Sequence, residues 1–305
     1  MNTILVAKDI KKNYYIRRKS AIFKKIHINA LDNFSMEIKK GVSTGIVGES
    51  GSGKTTLAKI LAGIIRPDEG SIYYKGVDIY NKNNYRSYRK NVQIVLQDPY
   101  SSFNPRLKLI TTFKDGFKLY YKGNTDFKKR LNSLLDYIGI DERDLYKYPH
   151  EFSGGQRQRL SIARALMLDP DIIIADEPVS ALDVSVQGQI VNFFKSLKLK
   201  TGKTILLVSH DLAIIKHLCD EVYIFYKGLL MEKGTKDDIF NNTLHPYTKM
   251  LIKASKEKIF TTVYFDNAGF CPFSNRCSHF SNKCKDIVEL INKSDTHFVR
   301  CTLYS

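Results

Sequence analysis

The feature that most constrains this chain is a glycine-rich segment, GIVGESGSGKTTL, at residues 45–57. Gly48, four intervening residues and then Gly53-Lys54-Thr55 match the spacing G-x-x-x-x-G-K-[ST] of a phosphate-binding loop. Glycine allows backbone angles and a close ligand approach that other residues prevent. The spacing therefore predicts a strand, a loop that wraps a phosphate and a helix beginning near Lys54, against the simpler interpretation of an ordinary glycine-rich turn.

The residues of this loop predict nucleotide chemistry. Backbone N–H groups from Glu49 to Thr55 can turn inward as an anion nest, and the start of the helix adds its positive dipole end. Lys54 would reach the outer phosphates, and the Thr55 hydroxyl would ligate Mg²⁺. The predicted nucleotide-binding residues of the loop are Gly48, Glu49, Ser50, Gly51, Ser52, Gly53, Lys54, Thr55 and Thr56.

Apolar runs along the chain indicate an α/β fold. TGIVGE, NVQIVLQD, DIIIADE, TILLVSH and EVYIFYKG are rich in Ile and Val and apolar on both faces, which is typical of strands in a covered parallel sheet with crossover helices. The first 45 residues and the segment 70–80 alternate instead, which favours a small antiparallel sheet. Residues from about 101 to 155 are polar and helix-like, and we expect them to form an inserted helical lobe.

Two adjacent carboxylates, Asp176 and Glu177, follow the run DIIIA. Parallel sheets bind their ligands at the carboxyl ends of the strands. Asp176 is therefore expected to hold Mg²⁺ through water, and Glu177 to polarise the attacking water as general base. The alternative is a solvated acid pair that caps a helix, and the three isoleucines before the pair argue against it.

Two more strand patterns end in polar residues. His210 follows TILLVS, where it would lie beside the γ-phosphate, and this position favours a catalytic role over the structural role of most lone histidines. Gln97 follows NVQIVL and would contact both Mg²⁺ and water through its amide, although taken alone it is a weak signal.

A second anion-binding helix end is predicted in EFSGGQRQRLSIARAL. Ser153, Gly154, Gly155 and Gln156 open an amphipathic helix there, about a hundred residues after Lys54. A simple phosphate-loop enzyme needs only one anion-binding helix N-terminus, so the presence of a second one in this chain requires another explanation.

Composition bounds the class of protein. The 305 residues suffice for one large domain or two, and no apolar run approaches the ~18 residues of a membrane span or the core of a signal peptide. We therefore expect a cytosolic chain, with any membrane spans supplied by another chain. The net charge of +17 fits a polyanion, an acidic membrane face or a lysine-rich coding bias, and the basic run at 11–25 fits nucleic acid or a loop beside a triphosphate.

Cysteines gather at the end of the chain. Cys219 stands alone in an apolar helix pattern and is expected in the core, whereas four others follow a composition shift near residue 240, where we place a domain boundary. Their spacing, C-x5-C-x6-C-x16-C, lacks the short pairs of structural zinc sites. They would supply the ligands of a [4Fe-4S] cluster, with zinc or free thiols as alternatives: Cys271, Cys277, Cys284 and Cys301.

The motifs together resemble those of the ATP-binding subunits of ABC transporters. They occur in that family's order: the phosphate loop at 48–55, Gln97, FSGGQ at 152–156, IIIADE at 172–177, SALD at 180–183 and His210. Phe152 replaces the leucine most often found in the signature loop, a mild change because the anion contacts come from the serine and glycines. The resemblance spans most of residues 1–240.

This resemblance implies a mostly parallel core sheet, an N-terminal antiparallel subdomain and an inserted helical subdomain. It also implies two subunits packed head to tail, each ATP lying between one chain's phosphate loop and the other chain's Ser153–Gln156 segment. Tyr14 stands where the family places an aromatic that stacks on adenine, and Tyr15 is the competing residue. Glu177, His210, Lys54 and Gln97 then carry catalysis, with Mg²⁺ held by Thr55, Gln97 and Asp176.

A narrower resemblance rests on VLQDPYSSFNPR, on LHPYTKMLI at 244–252 and on the cysteine tail. These segments are similar to those of the oligopeptide and dipeptide importer branch, which includes nickel importers and in which such tails are associated with a [4Fe-4S] cluster. The branch implies a second related ATPase chain, two membrane permease subunits and an external solute-binding protein, at the cytoplasmic face of the membrane. The first 35 residues look more like the second ATPase chain of the pair.

The leading hypothesis is therefore an importer ATPase with an ABC domain at 1–240 and an extension at 241–305. A soluble ABC ATPase of the DNA-repair class would need a long heptad insertion, which this sequence lacks. An ABC ATPase of the translation class would carry two cassettes in one chain, and this sequence has one. An interaction protein with an inactive site is opposed by the intact Lys54, Asp176, Glu177 and His210. The sequence leaves open the transported solute, homodimer against heterodimer, and iron–sulfur against zinc.

Overall fold

The computed structural model describes residues 2–17, 25–121, 126–180, 182–257, 271–286 and 288–305. Part of the basic run at 11–25 and Ala181 of the SALD motif lie outside the described residues. The chain divides into two compact units, Met1–Asp78 with Leu207–Ser305 (unit 1) and Ile79–Leu206 (unit 2). This division does not follow the predicted boundary near residue 240, which stays a prediction.

The strands of the described residues are β1 (Thr3–Arg17), β2 (Lys25–Lys39), β3 (Ser43–Gly48), β4 (Glu69–Tyr74), β5 (Val77–Asp78), β6 (Val92–Val95), β7 (Ile172–Asp176), β8 (Thr204–Ser209), β9 (Glu221–Tyr226), β10 (Leu229–Thr235), β11 (Ile291–Asn292) and β12 (Phe298–Val299). The α-helices are α1 (Lys54–Leu61), α2 (Tyr85–Asn91), α3 (Leu109–Tyr120), α4 (Phe127–Ile138), α5 (Gly154–Leu166), α6 (Val184–Thr201), α7 (Leu212–Leu218), α8 (Lys236–Phe240) and α9 (Pro246–Glu257).

Unit 1 contains the predicted antiparallel sheet, with strand order β2-β1-β4-β5. The alternation in the first 45 residues correctly indicated β1 and β2, which pair over nearly their whole lengths. Three alternate residues of β2 are buried, Phe34, Met36 and Ile38. The sheet thus has one face in the core, which is what a period of two requires.

A second set of strands in unit 1 runs in the order β11-β12-β10-β9-β3. β3 is parallel to β9, with Gly48 opposite Phe225, and all six of its residues are buried. The cysteine-bearing tail is joined to this sheet, because its strand β12 pairs antiparallel with β10 through Glu232 and Val299. A tail too short for a core of its own therefore shares the core of unit 1.

Unit 2 contains β6 and β7, which are parallel and in register from Val92 opposite Ile172 onward. The predicted helical lobe is present as α3 and α4, packed with α5 around one apolar core. Phe113, Phe117 and Leu135 lie in that core and are almost fully buried. α4 ends at Ile138 and is capped by Gly139, whose φ of 66° is a left-handed conformation that glycine adopts without strain.

β8 begins in unit 2 and ends in unit 1. Within the described part of the chain, no helix combines the length and the apolar character needed to cross a bilayer.

Candidate functional site

The phosphate loop follows β3 directly, and α1 begins at Lys54 as predicted. Two glycines of the loop, Gly48 and Gly53, are required because the backbone of another segment passes close to each of them. A Cβ on Gly48 would lie 2.2 Å from the carbonyl oxygen of Phe225, and one on Gly53 would lie 2.1 Å from that of Ala30. Gly53 also has a φ of 101°. Both positions therefore exclude any side chain, which gives the G-x-x-x-x-G spacing a physical cause.

The Lys54 ammonium lies across the loop. Its Nζ donates hydrogen bonds to the carbonyl oxygens of Gly48 at 2.7 Å and Glu49 at 2.8 Å, and the residue is 4% exposed. A buried ammonium needs such acceptors, or anionic ones, because desolvation of an unpaired charge is costly. The arrangement places a positive charge at the mouth of the predicted anion site.

Two N–H groups of the predicted anion nest have hydrogen-bond partners within the protein. The N–H of Glu49 donates to the Tyr247 hydroxyl at 3.1 Å, and the N–H of Ser52 donates to the Glu49 carbonyl at 3.2 Å. These two partners are a hydroxyl of α9 and a carbonyl within the loop. The sequence prediction that N–H groups from Glu49 to Thr55 can turn inward around a phosphate stays a prediction.

Three other predicted site residues lie in unit 1: His210, Tyr14 and Tyr15. His210 follows the last residue of β8 and is exposed, and Asp211 after it caps α7 by accepting from the Ala213 N–H at 2.7 Å. Tyr14 and Tyr15 are consecutive in β1, so their side chains lie on opposite faces of the sheet. Tyr15 is 68% exposed and its ring contacts that of His27.

Unit 2 brings two predicted catalytic residues into direct contact. Asp176 is the last residue of β7 and is 1% exposed, and Glu177 follows it. The Gln97 Nε2 donates to Glu177 Oε2 at 3.2 Å and to Ser180 Oγ at 3.4 Å. Glu177 has a φ of 45°, a left-handed conformation that is uncommon outside glycine and that recurs at functional sites.

The predicted second anion-binding end is also in unit 2. Ser153 caps α5, accepting from the Gln156 N–H at 3.3 Å, while the Ser153 N–H donates to Gln156 Oε1 at 3.0 Å. A Cβ on Gly155 would lie 2.7 Å from Val186 Cγ1, so glycine is needed for packing against α6. Phe152, the departure from leucine, is 5% exposed and packs in the core of the helical lobe.

The four tail cysteines line one small cavity of about 20 Å³, together with His245. Burial raises the pKa of the thiols of Cys271, Cys277 and Cys301, that of Cys301 to about 11. Burial also acts on Cys284, but contacts with the hydroxyls of Thr302, at 3.1 Å, and of Ser281 lower its pKa.

The cysteine cavity has the right donor set but not a closed metal geometry. In the described ranges no three His, Cys, Asp or Glu side chains are arranged so that they could hold a metal ion. The sequence prediction that the four thiols converge agrees with the shared cavity, while the identity of any bound group stays a prediction. Cys219 is 1% exposed, as expected of a core residue.

The sequence reasoning missed two residues that touch the phosphate loop. Arg276, between two of the tail cysteines, donates from Nη1 to Glu49 Oε2 at 2.9 Å. Tyr247, in the LHPYT segment, accepts the Glu49 N–H. Their segments were singled out for a family resemblance and for thiols, and the pattern LHPYT was the one signal that could have drawn attention to Tyr247.

Two known family models match this chain. Residues 31–180 match the family model described as ABC transporter, and residues 231–284 match the model described as Oligopeptide/dipeptide transporter, C-terminal region. The Oligopeptide transport ATP-binding protein AppF of Bacillus subtilis is 40% identical and aligns over 99% of this chain and 98% of its own length. The Dipeptide transport ATP-binding protein DppF of Escherichia coli is 42% identical over 83% of this chain and 76% of its own.

Solved structures of similar fold are ABC cassettes. The structure of cbiO1 from Clostridium perfringens, part of the transporter complex cbiONQ, has a TM-score of 0.66 and 28% identity, covering 80% of this chain and 93% of its own. A dimeric cassette, MJ0796, in a post-hydrolysis state with ADP and Pi, also has a TM-score of 0.66 and 28% identity, covering 76% of this chain and 99% of its own. The predicted phosphate-loop ABC ATPase fold is confirmed.

Proposed function

The chain belongs to the ATP-binding subunits of ABC transporters, in the branch of the oligopeptide and dipeptide transport proteins, and we propose that it is the ATP-hydrolysing motor of a peptide importer. The observation that carries this proposal is the presence in one chain of a complete phosphate loop and of the oligopeptide/dipeptide C-terminal region at 231–284. ATP hydrolysis then supplies the free energy for solute import.

The proposed roles of the site residues follow the chemistry of each side chain. Lys54 meets the β- and γ-phosphates, and Glu177 accepts a proton from the attacking water with His210 beside the γ-phosphate. Thr55, Gln97 and Asp176 would hold Mg²⁺, which neutralises phosphate charge when bound. The position of Asp176 at the carboxyl end of β7 supports this role, since parallel sheets bind their ligands at that end of their strands. Tyr14 stacks on adenine.

The second anion-binding end is assigned to the ATP of a partner subunit. Ser153, Gly154, Gly155 and Gln156 would contact the γ-phosphate held by the phosphate loop of the other chain. The capped, glycine-bearing start of α5 supports the assignment, because it leaves helix N–H groups at an exposed end. The partner is a second, related ATPase chain.

The remaining partners are membrane proteins. Two permease subunits would supply the membrane spans and an external binding protein the solute, with this chain as a peripheral subunit at the cytoplasmic face. The helical lobe of unit 2 would transmit the motion of the ATPase pair to the permeases. Peptides are the proposed cargo because the relatives are named as oligopeptide and dipeptide transport proteins.

The cysteine cavity is proposed to hold a [4Fe-4S] cluster through Cys271, Cys277, Cys284 and Cys301. Four thiols facing one cavity fit the ligand set of such a cluster. When bound, the cluster would cross-link three parts of the tail and contribute folding free energy to a segment with little core of its own. Zinc is the competing occupant.

The transport proposal is tested with the assembled complex. This chain would be co-purified with its paired ATPase and permeases, reconstituted in vesicles and supplied with the external binding protein. We expect hydrolysis of ATP that rises when the binding protein carries an oligopeptide, and uptake of that peptide. Stimulation by Ni²⁺ alone, with no response to peptides, would assign the motor to a metal importer instead.

A further inference from the structure

Glu49, the second residue of the phosphate loop, is held from three directions. Its N–H donates to the Tyr247 hydroxyl at 3.1 Å, and its carbonyl accepts from Lys54 Nζ at 2.8 Å. Its carboxylate accepts from Arg276 Nη1 at 2.9 Å. Two of the three partners therefore come from the C-terminal extension and not from the loop itself.

Arg276 is firmly placed in that extension. It ends a short 3-10 helix, Ser274–Arg276, between two of the tail cysteines, and its side chain is 7% exposed. Its guanidinium lies 5.5 Å from the ring centroid of Phe273, and Nη1 also donates to the Tyr226 hydroxyl at 3.3 Å. A side chain held by rings and a second acceptor has little freedom to leave Glu49.

The Glu49–Arg276 pair also sets the charge beside the loop. Among the described residues, Glu49 Oε1 is buried without a hydrogen-bond partner, so Arg276 is the main compensation for this carboxylate. The guanidinium of Arg276 carries a positive charge at any ordinary pH, as arginine does in proteins. Without Arg276, this carboxylate would be an uncompensated negative charge in the loop that is proposed to bind the phosphates of ATP.

We propose that Arg276 is a positioning residue of the phosphate loop, through which the cysteine-bearing extension holds Glu49 in place, neutralises it and so raises the affinity for ATP. The inference rests on the proposed ATP site and adds to it a part of the chain to which that proposal assigns no role in binding ATP. Tyr247 is the second such residue, since its hydroxyl fixes the Glu49 N–H.

The first test is Arg276→Gln in the assembled complex. We expect ATP binding, measured by calorimetry, to weaken about tenfold, from the repulsion of one poorly screened carboxylate. The KM for ATP should rise by a similar factor while kcat changes less than twofold, because Arg276 touches no reacting atom. Arg276→Lys should recover part of the affinity. Lys285→Gln, which removes an exposed cation from the same segment, is the matched control and should bind ATP like the wild type.

The second test is a double-mutant cycle with Glu49→Gln. If Arg276 acts by compensating Glu49, Arg276→Gln should change ATP affinity by less than about twofold once the carboxylate is absent. An equal loss in both backgrounds would show that Arg276 acts through some other contact, and would overturn the inference. A loss of the same size in Lys285→Gln would reduce the effect to net charge and overturn it as well.

Folding is separated from binding by thermal unfolding with and without ATP. A purely structural role would lower the Tm equally in both conditions, whereas the inference requires a smaller ATP-induced rise in Tm for Arg276→Gln. If that variant does not fold, Tyr247→Phe keeps the ring and removes one hydroxyl, and it should weaken ATP binding by about threefold. Wild-type protein that binds no ATP would refute the proposed function; wild-type binding with unchanged affinity in Arg276→Gln and Tyr247→Phe would refute this inference alone.

Discussion

The amide of Gln97 donates to the carboxylate of Glu177 at 3.2 Å, joining the residues that follow two neighbouring parallel strands, β6 and β7. The same amide also contacts Ser180, whose hydroxyl donates back to the Glu177 carbonyl at 3.1 Å. The bond from Gln97 holds one oxygen of the Glu177 carboxylate, and the bonds of Ser180 to both residues fix the orientation of that carboxylate. A general base needs such an orientation before its pKa matters.

Glu177→Gln should block hydrolysis and spare ATP binding. The substituted amide keeps an oxygen that can accept from Gln97, so the local geometry persists, but it cannot take a proton from water. Loss of a general base typically costs a factor of about 100 or more in turnover. ATP hydrolysis by the assembled complex, together with the amount of ATP retained after gel filtration, measures both effects. Undiminished hydrolysis would remove Glu177 from the role of base.

Lys54→Ala should abolish most ATP turnover and weaken ATP binding. The ammonium that now bonds to Gly48 and Glu49 is the charge proposed to meet the β- and γ-phosphates, and a preorganised cation there is worth several kcal/mol, roughly 3. Lys59→Ala, near the other end of α1, is the control for the loss of a lysine from this helix. Equal losses in the two variants would indicate damage to α1 and not to the site.

Local features of this site were predictable because each depends on neighbouring residues. The exclusion of side chains at Gly48 and Gly53 appears in the sequence as the glycine spacing, and the cap of α5 appears as Ser153 followed three residues later by Gln156. Asp176 could be placed because an apolar run precedes it. Structural features that depend on residues close in sequence can therefore be recognised from local sequence patterns.

The contacts of Glu49 could not be predicted in the same way. Its partner Arg276 lies 227 residues away and Tyr247 lies 198 residues away, and no periodicity connects such positions. The partner of the Glu49 N–H is that distant hydroxyl, which no local pattern around the phosphate loop indicates. The pairing of the tail with β10 was equally hidden in the sequence, because it depends on two residues of β12.

The purified chain alone should be a poor ATPase. The residues proposed to complete the site, Ser153 and Gly155, would act on the ATP of another chain, so a monomer has an incomplete site. Specific activity should rise with protein concentration or on addition of the paired ATPase, measured beside analytical ultracentrifugation. Full activity from a demonstrated monomer, independent of concentration, would contradict this requirement.

The two signature glycines should differ in their tolerance of alanine. A methyl group at Gly155 would lie 2.7 Å from Val186 Cγ1 and force α5 and α6 apart, whereas one at Gly154 would lie 3.7 Å from Leu182 Cδ2, an ordinary contact. We expect Gly155→Ala to lower the free energy of unfolding by about 1–3 kcal/mol, as overpacking does. Gly154→Ala should leave it within about 1 kcal/mol. Denaturant unfolding of both variants measures the difference, and equal stabilities would show that α6 yields without cost.

Anaerobic purification should yield a chain that contains iron and acid-labile sulfide, at about four of each, with the broad visible absorption of a [4Fe-4S] cluster. The four tail thiols line one cavity, so changing Cys271, Cys277, Cys284 and Cys301 together to serine should remove both elements and loosen the tail against proteolysis. Cys219→Ser is the matched control, since this cysteine is buried outside the cavity and the variant should keep its iron. Stoichiometric zinc without iron, or a tail that resists protease equally well without the four thiols, would reject the cluster.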